Sequence, residues 1–191
     1  MHALQQRAYQ TNTVYFSGNS RKTLPPASPL RDNLSEIEDD MIGALALTVL
    51  VFISTDCPIS NRYAPEITRL HSEFAAKGVR FHLVYPNPLD DEAAIDKHIE
   101  AYGYPHVAVR DRAHEFVKKT GATITPEAVV LDAREQVVYR GRIDDRFVEL
   151  GRERTSPTTR DLRNAITAAL AGRRVSPART QAVGCFIADM K

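Results

Sequence analysis

The 191-residue chain is 43% hydrophobic, enough to bury one substantial core, so a single domain with extensions is expected. A formal charge of +1, with no basic block or aromatic-basic stripe, excludes a nucleic-acid groove and an anionic membrane face from the leading readings. Cys57 and Cys185 are too few for a disulfide scaffold and too far apart for a metal knuckle, so each thiol is judged by its own surroundings.

Residues 1–40 are polar, contain "PPASP" and "SEIEDD", and read as a flexible arm without a basic-then-apolar secretory pattern. The apolar run Met41 to Ile53 is shorter than the roughly 20 residues a spanning helix needs, so a buried strand is expected. A helix follows from about Pro58, with Ile67, Leu70 and Phe74 on one face and a stop at Gly78. "VRFHLVY" alternates as a strand, and after "PNPLDD" a second helix aligns Ile95, Ile99 and Tyr102, with His98 on or beside that face, and ends at Gly103. A short strand "HVAV" and a short helix "RAHEFVKKTG" come next. "ATITPEAVVLDAREQVVYRGRID" then reads as two strands joined by a polar turn around Ala133 to Gln136. Past the charged connection "DRFVELGRERTSP", a last helix is expected, with Thr158 and Asp161 spaced as a capping box and Leu162, Ala165, Ile166 and Leu170 facing the core. The tail has no period. The expected plan is an α/β domain over residues 41–175, with a central mixed sheet flanked by helices, and a tail over 176–191 that carries Cys185.

Chemistry concentrates in "VFISTDCPIS". A strand that delivers Cys57 to the first turn of a helix sets its sulfur beside unpaired N–H groups and the positive end of the helix dipole, which favour the thiolate. Pro58 suits the first helical position, and Ser60 can offer a hydroxyl to the sulfur from the same turn. Asp56 opposes ionisation, and Arg62 is expected to offset it. The plain alternative is that Cys57 is a small buried apolar residue, the common fate of a free cysteine. "TITPE" shifts the balance, because Pro126 after a β-branched residue and before a strand suits a tight or cis turn whose main chain can accept another strand.

These residues together resemble the thioredoxin-like superfamily, specifically its redoxin branch of envelope thiol-disulfide oxidoreductases and alkyl hydroperoxide reductases. "VFISTDCPIS" looks like that group's strand and active-site cysteine, Pro65 stands where its helix-kinking proline does, and Thr125-Pro126 looks like its cis-proline turn. The resemblance covers roughly residues 45–172 and implies a three-layer thioredoxin-like fold with redox activity at Cys57, needing no cofactor. It also implies that Thr125 and Pro126 hold a substrate main chain beside the sulfur. This chain departs from the pattern at several places. Ser60 replaces the second cysteine of thioredoxins, Val51 replaces their buried aspartate, and Leu50 and Ser54 replace the proline and threonine of peroxiredoxins. Ser54 keeps the hydroxyl, but the substitutions favour a disulfide over a peroxide as substrate.

Cys185 lies about thirteen residues beyond the last helix, a segment that spans roughly 40 Å when extended. A domain of this size has a radius of gyration near 15 Å, so Cys185 can reach Cys57 and is a candidate resolving cysteine; the bland reading is a packed tail. The six histidines show no helical zinc spacing, and Asn61 stands where a copper chaperone of this superfamily would need a cysteine, so no metal is expected. Asp144 and Asp145 read as a solvated loop. The leading function is a thiol-dependent oxidoreductase acting on a thiol or disulfide protein, or a hydroperoxide, with an external thiol reductant. The alternative is a non-catalytic module that binds a peptide or protein partner. The compartment stays open between the bacterial envelope, by resemblance, and the cytoplasm.

Overall fold

The structure is a computed structural model that describes residues 47–105 and 107–187. The expected N-terminal arm lies outside the described residues. Strand β1 (Thr48–Phe52) is followed by α1 (Pro58–Ala75), β2 (Arg80–Tyr85), α2 (Glu92–Tyr102), β3 (Ala108–Arg110) and α3 (Glu115–Thr120). Then come β4 (Ile124–Thr125), β5 (Glu127–Leu131), β6 (Val137–Gly141), β7 (Phe147–Glu149), β8 (Arg152–Glu153), α4 (Asp161–Leu170) and β9 (Cys185–Phe186).

The main sheet has the order β3-β2-β1-β5-β6, with β1, β2 and β3 parallel and β5 and β6 antiparallel to their neighbours. Every residue of β1 is buried, as expected of a strand covered on both faces. Val49 and Val51 join Ile67, Leu70 and Phe74 of α1, Ile95 and Ile99 of α2 and Leu162 and Ile166 of α4 in one cluster. Leu50 and Phe52 face the other way, onto Phe116 and Val117 of α3. The period-2 alternation of β1 thus serves two apolar layers, and the central mixed sheet with flanking helices follows from it.

The hairpin turn between β5 and β6 is built by Asp132, whose carboxylate accepts the N–H groups of Arg134 and Gln136 at 2.9 Å each, with Glu135 at φ 60°. On the outer surface Arg69 binds Glu66 and Glu73 within α1, while Arg160 and Arg163 reach the same two glutamates from the α4 end of the chain.

Three details differ from the sequence expectation. The last helix is capped at Arg160, not by a Thr158 box; the Thr158 N–H and hydroxyl are taken by Asp145, and Asp161 pairs with Arg142 at 2.8 Å. Leu170 ends that helix exposed, past the last buried turn. In α2 the third inward position belongs to His98, not Tyr102, because i, i+3 and i+4 from Ile95 fall on His98 and Ile99 while Tyr102 closes the helix in solvent.

From Ser176 to Ile187 the tail packs against the domain. Ala178 accepts from Arg140 N–H and Thr180 donates back to the Arg140 carbonyl, at 3.0 and 3.1 Å. Further along, β9 pairs antiparallel with β4, placing Ile124 opposite Phe186 and Thr125 opposite Cys185. Ile187 then inserts into the α3-side cluster, a burial worth about 2 kcal/mol.

Candidate active site

At the end of β1 the chain turns through Ser54, Thr55 and Asp56, and Cys57 N–H closes the turn onto the Ser54 carbonyl at 3.3 Å. Thr55 is fixed from across the molecule, its hydroxyl donating to Asp90 at 2.6 Å. Cys57 is the N-cap of α1, in extended conformation (φ −83°, ψ 109°), with Pro58 at the first helical position. Its side chain makes no capping hydrogen bond, but the N-cap position sets the sulfur near the positive end of the α1 dipole.

As a thiol, Cys57 donates from Sγ to the Thr125 carbonyl at 3.1 Å. That carbonyl belongs to the Thr125-Pro126 peptide, which is cis. Burial pushes the Cys57 pKa up, but the Ser60 hydroxyl and N–H, together with the Cys185 thiol and N–H, outweigh it and bring it below the ordinary value of 9.0. Ser60 Oγ is fully buried and has no hydrogen-bond partner among the described residues while the Cys57 thiol is turned to Thr125. Cys185 moves the opposite way: burial, its hydrogen bond to Cys57 and the charges of Cys57 and Asp56 push it up to about 11. Both cysteines are free thiols, Cys57 buried and Cys185 exposed. Cys57 is only 1% exposed, yet its sulfur lies at the bend beside position 126.

The structure brings Cys57, Ser60, Thr125, Pro126 and Cys185 together. Ser54 stands one step away, its hydroxyl donating to Asp56. Arg62 does not offset Asp56 as expected; it pairs with Glu153 at 2.6 Å and lies over the Phe147 ring, because its side chain leaves α1 toward the β7–β8 hairpin. Asp144 and Asp145 are not a solvated loop. Asp144 is buried and accepts from the Tyr63 hydroxyl at 2.6 Å and Arg146 N–H at 2.9 Å, while Asp145 takes the Thr158 and Thr159 N–H groups at 2.6 and 2.8 Å. Asp145 thus caps the chain leading into α4, while Asp144 ties its own loop to α1.

Sequence reasoning missed a polar array behind the first turn of α1. Tyr104 donates to the Ser60 carbonyl at 2.7 Å, and His98 bridges Asn61 Oδ1 at 2.7 Å and the Tyr85 hydroxyl at 3.0 Å. Burial pushes His98 down and Tyr104 up, so both are held neutral. The array fixes the turn that presents Ser60 to the sulfur. Among the described residues no three His, Cys, Asp or Glu side chains gather as a metal-holding group, and no helix is long and apolar enough to cross a membrane.

A family model described as Redoxin matches residues 45–150, a span that holds Cys57, Ser60, Thr125 and Pro126. The chain belongs to the redoxin family. Cys185 lies outside the matched span of this redoxin. An uncharacterized conserved protein from Geobacillus kaustophilus is 31% identical, with a TM-score of 0.64 over 74% of this chain and 76% of that one. A hypothetical protein from Sinorhizobium meliloti 1021 is 26% identical, also at 0.64, over 74% and 78%. A structure described as a DsbE thiol:disulfide interchange protein from Chlorobium tepidum is 16% identical, with a TM-score of 0.52 over 70% and 84%, a likeness of fold. No curated protein sequence matches the chain. The fold of this redoxin is thioredoxin-like, a mixed central sheet with flanking helices.

Proposed function

We propose that this redoxin is a thiol-disulfide oxidoreductase whose working couple is Cys57 and Cys185. The observation that carries the reading is the placement of Cys185 directly opposite Thr125, whose carbonyl holds the Cys57 sulfur at 3.1 Å; the lowered Cys57 and raised Cys185 pKa accord with it. The Cys57 thiolate attacks one sulfur of a substrate disulfide and expels the other as a thiolate, giving a mixed disulfide. Cys185 gives up its proton, attacks the Cys57 sulfur and expels the second substrate thiolate, leaving a Cys57–Cys185 disulfide. An external dithiol then reduces that bond.

The asymmetry of the pair favours this order. Cys185 is the exposed sulfur that an incoming thiolate reaches, and Cys57, with the lower pKa, is the better leaving group. A peroxide could enter the same cycle through a Cys57 sulfenic acid that Cys185 condenses with loss of water. The disulfide is favoured because Leu50 and Ser54 stand where peroxide-reducing relatives keep proline and threonine, and because the Ser54 hydroxyl is directed to Asp56.

Burial of Cys57 favours one other reading, a strand-binding module with an inert thiol. A non-reducing peptide map separates them. After one equivalent of oxidised glutathione, a Cys57–Cys185 linked peptide is expected, and dithiothreitol should remove it; persistent free thiols at both positions would refute the couple.

A further inference from the structure

The tail beyond the family match stands over Cys57, and the manner of its seating has consequences of its own. Strand β4 contributes no pairing to the main sheet; its two residues pair with β9 in a separate two-stranded sheet. An edge this short accommodates one partner strand at a time.

Two glycines make the seat. A Cβ on Gly184 would meet the Thr125 carbonyl oxygen at 2.1 Å and Ile124 Cγ2 at 2.9 Å. A Cβ on Gly141 would meet Thr180 Oγ1 at 2.1 Å and its carbonyl oxygen at 2.4 Å. The tail therefore approaches the domain main chain closely at two points, and only residues without side chains permit it.

The two points are held unequally. At Thr180 the tail is tied by main-chain bonds to Arg140 and by its hydroxyl to Tyr139 and Arg142, at 2.7 and 3.1 Å. Between the points it crosses a polar cavity of about 350 Å³ that Glu127 and Arg140 line from the domain side. At the far end it is held by the β4 pairing, the bond from Ile187 N–H to the Thr123 carbonyl at 3.0 Å and the buried Ile187 side chain, while Phe186 is 84% exposed and adds no packing. A strand rooted at Thr180 and undercut in the middle can lift from its far end without disturbing the sheet.

We infer that residues 183–187 form a displaceable strand that closes the Cys57 site, and that a partner reaches the thiol by laying an extended polypeptide along Ile124–Thr125 in its place. The inference rests on the reading of Cys57 as the nucleophile. The incoming strand runs antiparallel to β4, and the residue before the one that faces Thr125 is glycine, for the same steric reason that position 184 is. Only a polypeptide offers the main-chain N–H and C=O groups that replace β9 along β4, so strand exchange selects polypeptide substrates.

The test uses the full chain carrying Cys185→Ser, which removes disulfide chemistry, with and without Gly184→Val. The readout is the labelling rate of Cys57 by a bulky maleimide at about pH 7. Release of the strand should raise the rate at least about tenfold, the signature of a local opening equilibrium. A synthetic peptide of residues 179–187 with serine for cysteine should slow labelling of the released variant, and the same peptide with valine for glycine should not. Ile187→Ser is the second variant should Gly184→Val fail to fold, with circular dichroism as the check on each. Equal labelling rates in folded variants, or no effect of either peptide, would overturn strand exchange. Labelling is read in a chain that lacks Cys185, so failure of strand exchange and failure of the Cys57–Cys185 linked peptide to form are distinguishable results.

Discussion

Ser60→Ala separates the electrostatic role of the first turn from its structural one. The Ser60 hydroxyl has no hydrogen-bond partner among the described residues while Cys57 is a thiol, and ionisation of Cys57 gives it an acceptor. A hydrogen bond to a charged group contributes about 1.5–3 kcal/mol, and one pH unit is about 1.4 kcal/mol, so loss of the hydroxyl should raise the Cys57 pKa by about one to two pH units. The Ser60 N–H and the Cys185 donors remain, so the thiol should not return fully to its buried, unassisted value. Below both midpoints the thiolate fraction falls about tenfold per unit of the rise, and the more basic thiolate regains about threefold per unit, so there exchange with a small disulfide should slow about three- to tenfold. In acid, where Cys57 is protonated, the variant should be as stable as the parent or up to about 1 kcal/mol more so, because a buried hydroxyl short of partners has been removed. The assay is the thiolate ultraviolet absorbance against pH, with urea unfolding in acid as the companion. A first thiolate step that stays in place would refute the assignment of Ser60 as a donor to sulfur.

Asp145→Ala should lose about 2 kcal/mol at neutral pH, because burial is outweighed by the Thr158 hydroxyl, the Thr158 and Thr159 N–H groups and Arg154, which hold the carboxyl at about 2 against an ordinary 3.8. The folded pKa is the lower one, so that stabilisation is full above 3.8 and is lost as pH falls toward 2; urea midpoints of parent and variant should converge over that window. Tyr63→Phe leaves the buried Asp144 carboxylate one donor short and should cost about 2 kcal/mol in a denaturant melt. His98→Gln should flatten the acid side of the stability profile: burial makes the folded protein bind this proton less tightly than the unfolded chain at 6.5, so the parent loses stability as pH falls below 6.5 and the variant should lose less. Phe186→Ser should change stability by less than about 0.5 kcal/mol, since the ring lies in solvent, as thermal melts will show.

The main sheet was legible because β1 and β2 carry long apolar runs with alternation and because Gly78, Gly103 and Gly121 mark helix ends. Cys57 was legible as a helix-entry thiol from its strand and from Pro58, and the turn at position 126 from proline after a β-branched residue. What stayed hidden is non-local. Strand β9 has only two residues and no period, so nothing in "VGCFI" announces that Cys185 pairs with Thr125. Asp144 and Asp145 look like any acidic loop, since their donors come from α1 and from the approach to α4. His98 and Tyr104 looked like residues of an ordinary helix end, and only the packing of α2 against the first turn of α1 brings them to Asn61 and Ser60.

Gly141 and Gly184 give the tail a signature that can be read without coordinates. A redoxin carrying a bulky residue at either position cannot seat its C-terminal segment this closely, so a two-letter comparison at those sites would sort members able to adopt this seating from those that are not. The same pair marks where an engineer could install a side chain to convert one kind into the other.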